Sequence, residues 1–204
     1  MTDTLKNASP QGYGPHQTER LPLLQDSMMN AEQRAAADAI INGPRKSLYG
    51  AFIPLLYAPA LTAPVGDLGA KLRFEGVLSD AVRELTICVV ARETSNQFEW
   101  QVHAPTAINA GVPTNALDSI SVGSTVHGLP PDLQHAVDFT QELLRNHGVS
   151  DQTYLLAKNT FGEKGVMELT TLIGYFVMVC WVMNVAKTPG PTAAKANALS
   201  GLPN

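Results

Sequence analysis

Cysteine is scarce in this chain. Its 204 residues hold two, Cys88 and Cys180, each inside an apolar run and without CxxC spacing. No disulfide framework can be built from them, and both read as buried free thiols in a reducing compartment. Charge is thin as well, at 16% of residues, with 14 Lys and Arg against 18 Asp and Glu for a formal charge of −4. The basic residues are scattered rather than gathered in a stripe, which argues against a nucleic-acid binder. The first residues, MTDTLKNASPQGYGPHQTERLPLL, lack a basic start followed by an apolar stretch and do not resemble a secretion signal. The expected location is the cytoplasm.

Sustained apolar/polar alternation between hairpin turns is also missing, which leaves an all-α fold, and the length fits one domain. Residues 1–25 contain Pro10, Pro15 and Pro22 with Gly12 and Gly14 among polar residues, and read as an irregular N-terminal arm. Residues 26–187 read as a single helical domain, and 188–204 as an irregular tail that adds little to the core. The periodicity predicts helices at about 27–42, 46–57, 61–75, 80–93, 97–110, 114–121, 131–147, 151–161 and 163–187. Ser79 is placed to cap the helix at Asp80, Pro131 to open one, and Gly111, Gly148 and Gly190 to close others.

Between Glu168 and Lys187 runs LTTLIGYFVMVCWVMNVA, uncharged and nearly long enough to cross a bilayer. Two Thr, an Asn, a Gly and the absence of basic flanks favour instead the central or interface helix of a helical protein. With 45% hydrophobic residues and little charge, self-association is expected to hide apolar surface.

The chemistry-bearing residues concentrate in RELTICVVARETSNQFEWQVHAPTAINAG, residues 83–111. Glu84 lies one helical turn before Cys88, on or beside the stripe of Leu85, Cys88, Val89 and Arg92. A carboxylate there must find a partner or keep its proton. Glu99 and His103 are four residues apart in the next helix, so their side chains share a face. If the turn ETSNQ folds the two helices side by side, Glu84 reaches the same imidazole. Two carboxylates around one histidine can share and pass a proton near neutral pH. Pro105, without an N–H, should free the Gln101 carbonyl and bend the helix beside His103. Spacing alone favours a blander arrangement, in which Glu99 and His103 form a surface pair and Glu84 anchors Arg83, Arg92 or a backbone amine. A metal site on Glu84, Glu99 and His103 lacks a second histidine at suitable spacing, and neither metal nor cofactor is expected.

The same stretch resembles the core motif of the carboxymuconolactone decarboxylase and alkylhydroperoxidase-D-like family. The peroxidase branch of that family runs Glu, CxxC, His. The matching positions here are Glu84, Asn96, Glu99 and His103, with the spacing kept and both thiols absent. A thiol peroxidase needs one thiolate to attack and a second thiol to resolve, so the resemblance points to the thiol-free branch. There FEWQVHAPTAINAGV matches the run Glu-Trp-x-x-His-x-x-x-Ala-x-x-x-Gly, and flanking segments extend the likeness over residues 43–187.

The resemblance implies a multi-helix homo-oligomer, trimer or hexamer. It also implies a cofactor-independent decarboxylase acting on a small carboxylated lactone or related enolisable acid. In that setting His103 is the proton donor or enolate stabiliser, Glu84 fixes its tautomer, and Glu99 shuttles the proton or orients the ring. Trp100, Tyr175, Asn96 and His127 are the expected substrate-binding residues, with core or interface packing the competing account of the two aromatics. A carboxylated substrate calls for a cation, for which Arg45, Lys46, Lys71 and Arg73, from this or a neighbouring subunit, are the candidates. Two alternatives stay open: a non-catalytic binding or assembly module of the same fold, and a peroxidase-like enzyme without CxxC. The latter ranks last, because neither cysteine has an electropositive, exposed setting.

Overall fold

A computed structural model describes residues 18–191 and Leu199. Residues 1–17 of the expected arm, and 192–198 and 200–204 of the expected tail, lie outside the described residues. Among those described there are eight α-helices and no strand: α1 Ala31–Asn42, α2 Phe52–Leu55, α3 Pro59–Phe74, α4 Asp80–Glu93, α5 Gln97–Asn109, α6 Thr114–Ser121, α7 Pro131–Asn146 and α8 Asp151–Ala186. The all-α expectation holds.

Helix α4 occupies the middle and packs on α5, α6, α7 and α8. Every residue from Glu84 to Arg92 is buried, so this helix is enclosed on all sides and its polar members must be satisfied inside the protein. It starts where the sequence indicates, with the Ser79 hydroxyl accepting from the Val82 N–H at 3.3 Å. It ends at a turn in which Ser95 takes a left-handed conformation, φ 51°. The Asn96 side chain then opens α5 by accepting from the Glu99 N–H at 2.8 Å. This tight reversal sets α5 against α4 and positions the site.

Two large apolar clusters flank α4. One gathers Ile87 and Val90 with Phe52, Phe98, Phe139 and the buried face of α8. The other gathers Leu85, Cys88 and Val89 with Trp100, Leu117, Leu133 and Val137. Leu199 belongs to the second cluster, with its N–H and carbonyl bonded to the Gln97 side chain at 3.0 and 2.9 Å, so at that residue the tail does enter the core.

Other expectations need correction. The helix predicted at 46–57 is reduced to the single turn of α2, because Lys46 and Gly50 turn left-handed, at φ 60° and 59°. At Gly50 a Cβ would stand 2.8 Å from a Phe98 ring carbon, so tertiary packing excludes a side chain there. Helix α3 begins two residues before the predicted start, on Pro59 in its first turn. Left-handed His147 and Lys187, rather than Gly148 and Gly190, close α7 and α8. The helices predicted at 151–161 and 163–187, by contrast, do part at Gly162, where φ 70° and ψ 174° leave the helical region within α8. Helix α5 continues past Pro105 to Asn109. By length and composition α8 is apolar enough to cross a membrane, yet 50% of its most apolar stretch is buried inside the fold.

Candidate functional site

Glu84 projects from α4 and Glu99 and His103 from α5, and all three are buried, at 2%, 7% and 3% exposure. His103 Nδ1 lies 2.5 Å from Glu84 Oε2, and Nε2 lies 3.1 Å from Glu99 Oε2. The Glu99 contact is local and follows from i,i+4 spacing. The Glu84 contact crosses between helices and exists because the Ser95 turn brings their faces together. A neutral imidazole donates from one nitrogen only, so an imidazole facing a carboxylate on each side requires a second shared proton. The group therefore holds its protons in common.

Burial disfavours the imidazolium, but the hydrogen bonds to Glu84 and Glu99 and their charges outweigh it and raise the His103 pKa above its ordinary 6.5. Burial likewise pushes Glu84 upward, and the His103 bond and charge, with the Arg73 and Arg83 charges, bring it below its ordinary 4.5. Both shifts favour the ionic form of the pair. Arg83 Nε reaches Glu84 Oε1 at 3.3 Å while its Nη2 donates to Asp80 Oδ1 at 2.9 Å, so the long side chain overcomes the turn of the helix between neighbours. Phe176 meets the His103 ring edge to face, with centroids 5.4 Å apart at 84°.

The thiols show the opposite behaviour. Burial, then the Glu84 and Glu99 charges, holds Cys88 well above its ordinary 9.0, and burial with Glu99 does the same to Cys180. Both are buried and free. Neither supplies the thiolate that peroxide reduction or disulfide exchange requires.

Beside Glu99 and His103 lies a cavity of about 30 Å³, with room for one or two water molecules. Arg45, Arg73, Tyr49, Phe98 and Tyr175 are among its other walls. Of the four candidate cations, Arg45 and Arg73 thus line the cavity from the same chain. Lys46 is exposed, and Lys71 is exposed with its ammonium 3.5 Å from Glu75. Among the described residues no cluster of three His, Cys, Asp or Glu side chains is arranged to hold a metal.

The remaining sequence candidates separate cleanly. Tyr175 lines the cavity, and burial keeps its phenol above the ordinary 10.0 against the pull of Arg45, so it remains an O–H. Asn96, Trp100 and His127 are not on the cavity. Asn96 is spent on the α5 cap and on donating to the Cys180 carbonyl at 3.1 Å and Asn184 Oδ1 at 2.9 Å. Trp100, about 100° around α5 from Glu99, packs in the second apolar cluster. His127 is exposed in the connection between α6 and α7. Sequence reasoning missed Phe98 and Val102, although they share the Glu99–His103 face by helical spacing. It also missed Tyr49 and Phe176, for which no local signal exists.

Solved structures share this architecture. A peroxidase-related protein from Ralstonia eutropha JMP134, solved as an alkylhydroperoxidase AhpD core, superposes with a TM-score of 0.70 at 14% identity over 88% of this chain and 95% of its own. The debrominase Bmp8 in its apo form superposes with a TM-score of 0.66 at 11% identity over 87% of this chain and 95% of its own. A Bmp8 variant in complex with 2,3,4-tribromopyrrole gives 0.66 at 11% identity, covering 90% and 97%. No family model and no curated protein sequence matches the chain. The chain therefore has the AhpD-like all-α fold, and at these identities the likeness extends to the fold alone.

Proposed function

We propose that this protein is a cofactor-independent carbon–carbon lyase of the carboxymuconolactone decarboxylase type, acting by proton transfer on a small carboxylated lactone or related enolisable acid. The observation that carries the proposal is His103, held between Glu84 and Glu99 against a cavity. When the bond to the carboxylate carbon breaks, carbon dioxide leaves and the electron pair delocalises toward the ring carbonyl, so the substrate is its own electron sink. The protein has to stabilise that enolate and return a proton to carbon. His103, whose proton affinity is raised, is the donor; Glu84 orients the ring and balances its charge; Glu99, on the cavity wall, returns a proton from solvent. A lactone exceeds a cavity of about 30 Å³, and in this reading the irregular segment carrying Arg45 and Tyr49 yields to admit it. The same reading has the protein cytoplasmic and homo-oligomeric, for which the exposed Trp181, Val185 and Met178 of α8 are the support.

The test is carbon dioxide release from a panel of carboxylated lactones and enolisable acids. His103→Gln is expected to lower kcat by about 10² to 10⁴ with the fold retained, and the wild-type pH profile to be bell-shaped. Turnover that survives the substitution sinks the assignment. Specific ligand binding with no turnover on any panel member favours the non-catalytic module.

A further inference from the structure

Two carboxylates meet at His103, yet the cavity that Glu99 and His103 border is not acidic overall, because two arginines line it as well. Arg45 and Arg73 both line it, and the Nε of each is buried without a hydrogen-bond partner among the described residues. Arg73 makes no hydrogen bond or ion pair there; its guanidinium lies 5.3 Å from the Phe74 ring centroid. Arg45 is held more firmly, 4.4 Å over the Phe52 ring and with Nη2 donating to the Tyr175 hydroxyl at 3.3 Å. That contact is bought by an absence in α3, since a Cβ on Gly69 would stand 2.2 Å from the Tyr175 oxygen and 2.5 Å from Arg45 Nη2. The Tyr175 oxygen accepts from Arg45, which leaves its own O–H to donate. With His103 protonated, Arg45, Arg73 and His103 against Glu84 and Glu99, with Arg83 paired to Asp80, give a formal charge of +1. A monoanion neutralises it, and buried guanidinium donors lacking partners are matched by an oxygen pair.

We propose that Arg45, Arg73 and Tyr175 form the anion-binding side of this cavity and take the carboxylate of a small planar acid, directing the remainder of that molecule to His103. The proposal rests on the reading of the site as one for a small acid, but its test needs no turnover. Calorimetric titration at low ionic strength compares 2-furoate with its neutral isostere 2-furamide. Furoate is expected to bind about tenfold or more tighter than furamide. Arg73→Gln and Arg45→Gln should each weaken furoate about tenfold and leave furamide unchanged, and Tyr175→Phe should weaken it about threefold. Lys71→Gln, on the solvent side of α3, should change nothing. Arg45→Lys and Arg73→Lys keep charge and packing, and intermediate losses in them separate recognition from misfolding. Furoate that fails to bind the wild type, binds no better than furamide, or binds the Arg→Gln variants within about twofold of wild type overturns the proposal. Arginine-dependent binding without turnover of any acid keeps this subsite and removes the lyase reading. Turnover with arginine-independent binding does the reverse.

Discussion

On one side of the cavity, Glu99 and His103 line the wall 3.1 Å apart, with Glu84 behind them 2.5 Å from His103, on helices opened by the Ser79 and Asn96 caps. On the other, Arg45 and Arg73 leave Nε donors unpaired, and Arg45 adjoins a segment that turns left-handed at Lys46 and Gly50. The first wall satisfies itself: its charges have partners in the folded protein and contribute to stability. The second leaves hydrogen-bonding capacity unused, a cost that folding alone does not explain and that a bound anion offsets. The difference separates residues that build the site from residues that wait for a ligand, and each substitution below tests on which side of that line a residue falls.

The largest effect is expected from Glu84→Ala, which strips a buried histidine and Arg83 of a shared partner. A loss of about 3 kcal/mol in urea unfolding is expected, and a loss near zero would mean that the paired wall is not structural. Its pH dependence has a definite sign. The raised His103 pKa contributes stability that is full below 6.5 and fades as pH climbs through the folded value. The lowered Glu84 pKa contributes stability that is full above 4.5 and is lost as pH falls through the folded value. Wild-type stability from this pair is therefore greatest between 4.5 and 6.5, and Glu84→Ala should flatten both limbs in unfolding curves taken across that range. Retention of both limbs in the variant would assign them to other groups.

Asn96→Ala comes next, at about 2 kcal/mol, from one lost cap and two lost buried contacts to α8. Its effect on ligand affinity should be slight, and a large change in affinity with stability preserved would return Asn96 to the site. Gly50→Ala should cost about 1 to 2 kcal/mol, from a left-handed backbone and the close Phe98 ring. An unchanged melting temperature would show that the segment reshapes freely. The smallest effect on stability belongs to Arg73→Gln, within about 0.5 kcal/mol at pH 7. A loss of 2 kcal/mol or more would make Arg73 scaffolding, and erase the contrast between the walls.

Much of the helical layout was legible because amphipathic period and capping chemistry are local. Ser79, Pro131 and the break at Gly162 stand where the pattern places them. The failure at 46–57 has an equally plain cause: the residues there have no period that forbids a helix, and the left-handed backbone at Lys46 and Gly50 that breaks it is not a feature of the pattern. Asn96 was misplaced because a motif position and a capping position coincide, and the cap is what its side chain serves. His127 and Trp100 entered with the resemblance, which says nothing of which side chains the fold turns toward the cavity.

By itself the sequence determined that Glu99 and His103 touch, since four residues of helix bring two side chains to one face whatever surrounds them. It also determined that no CxxC pair exists for thiol chemistry. Only the tertiary structure decided that Glu84 completes the group and that Arg45 and Arg73 face the same cavity as His103. Those relations depend on how α3, α4, α5 and α8 pack. Packing is a sum of many weak contacts between distant segments, for which no local pattern of residues is a substitute.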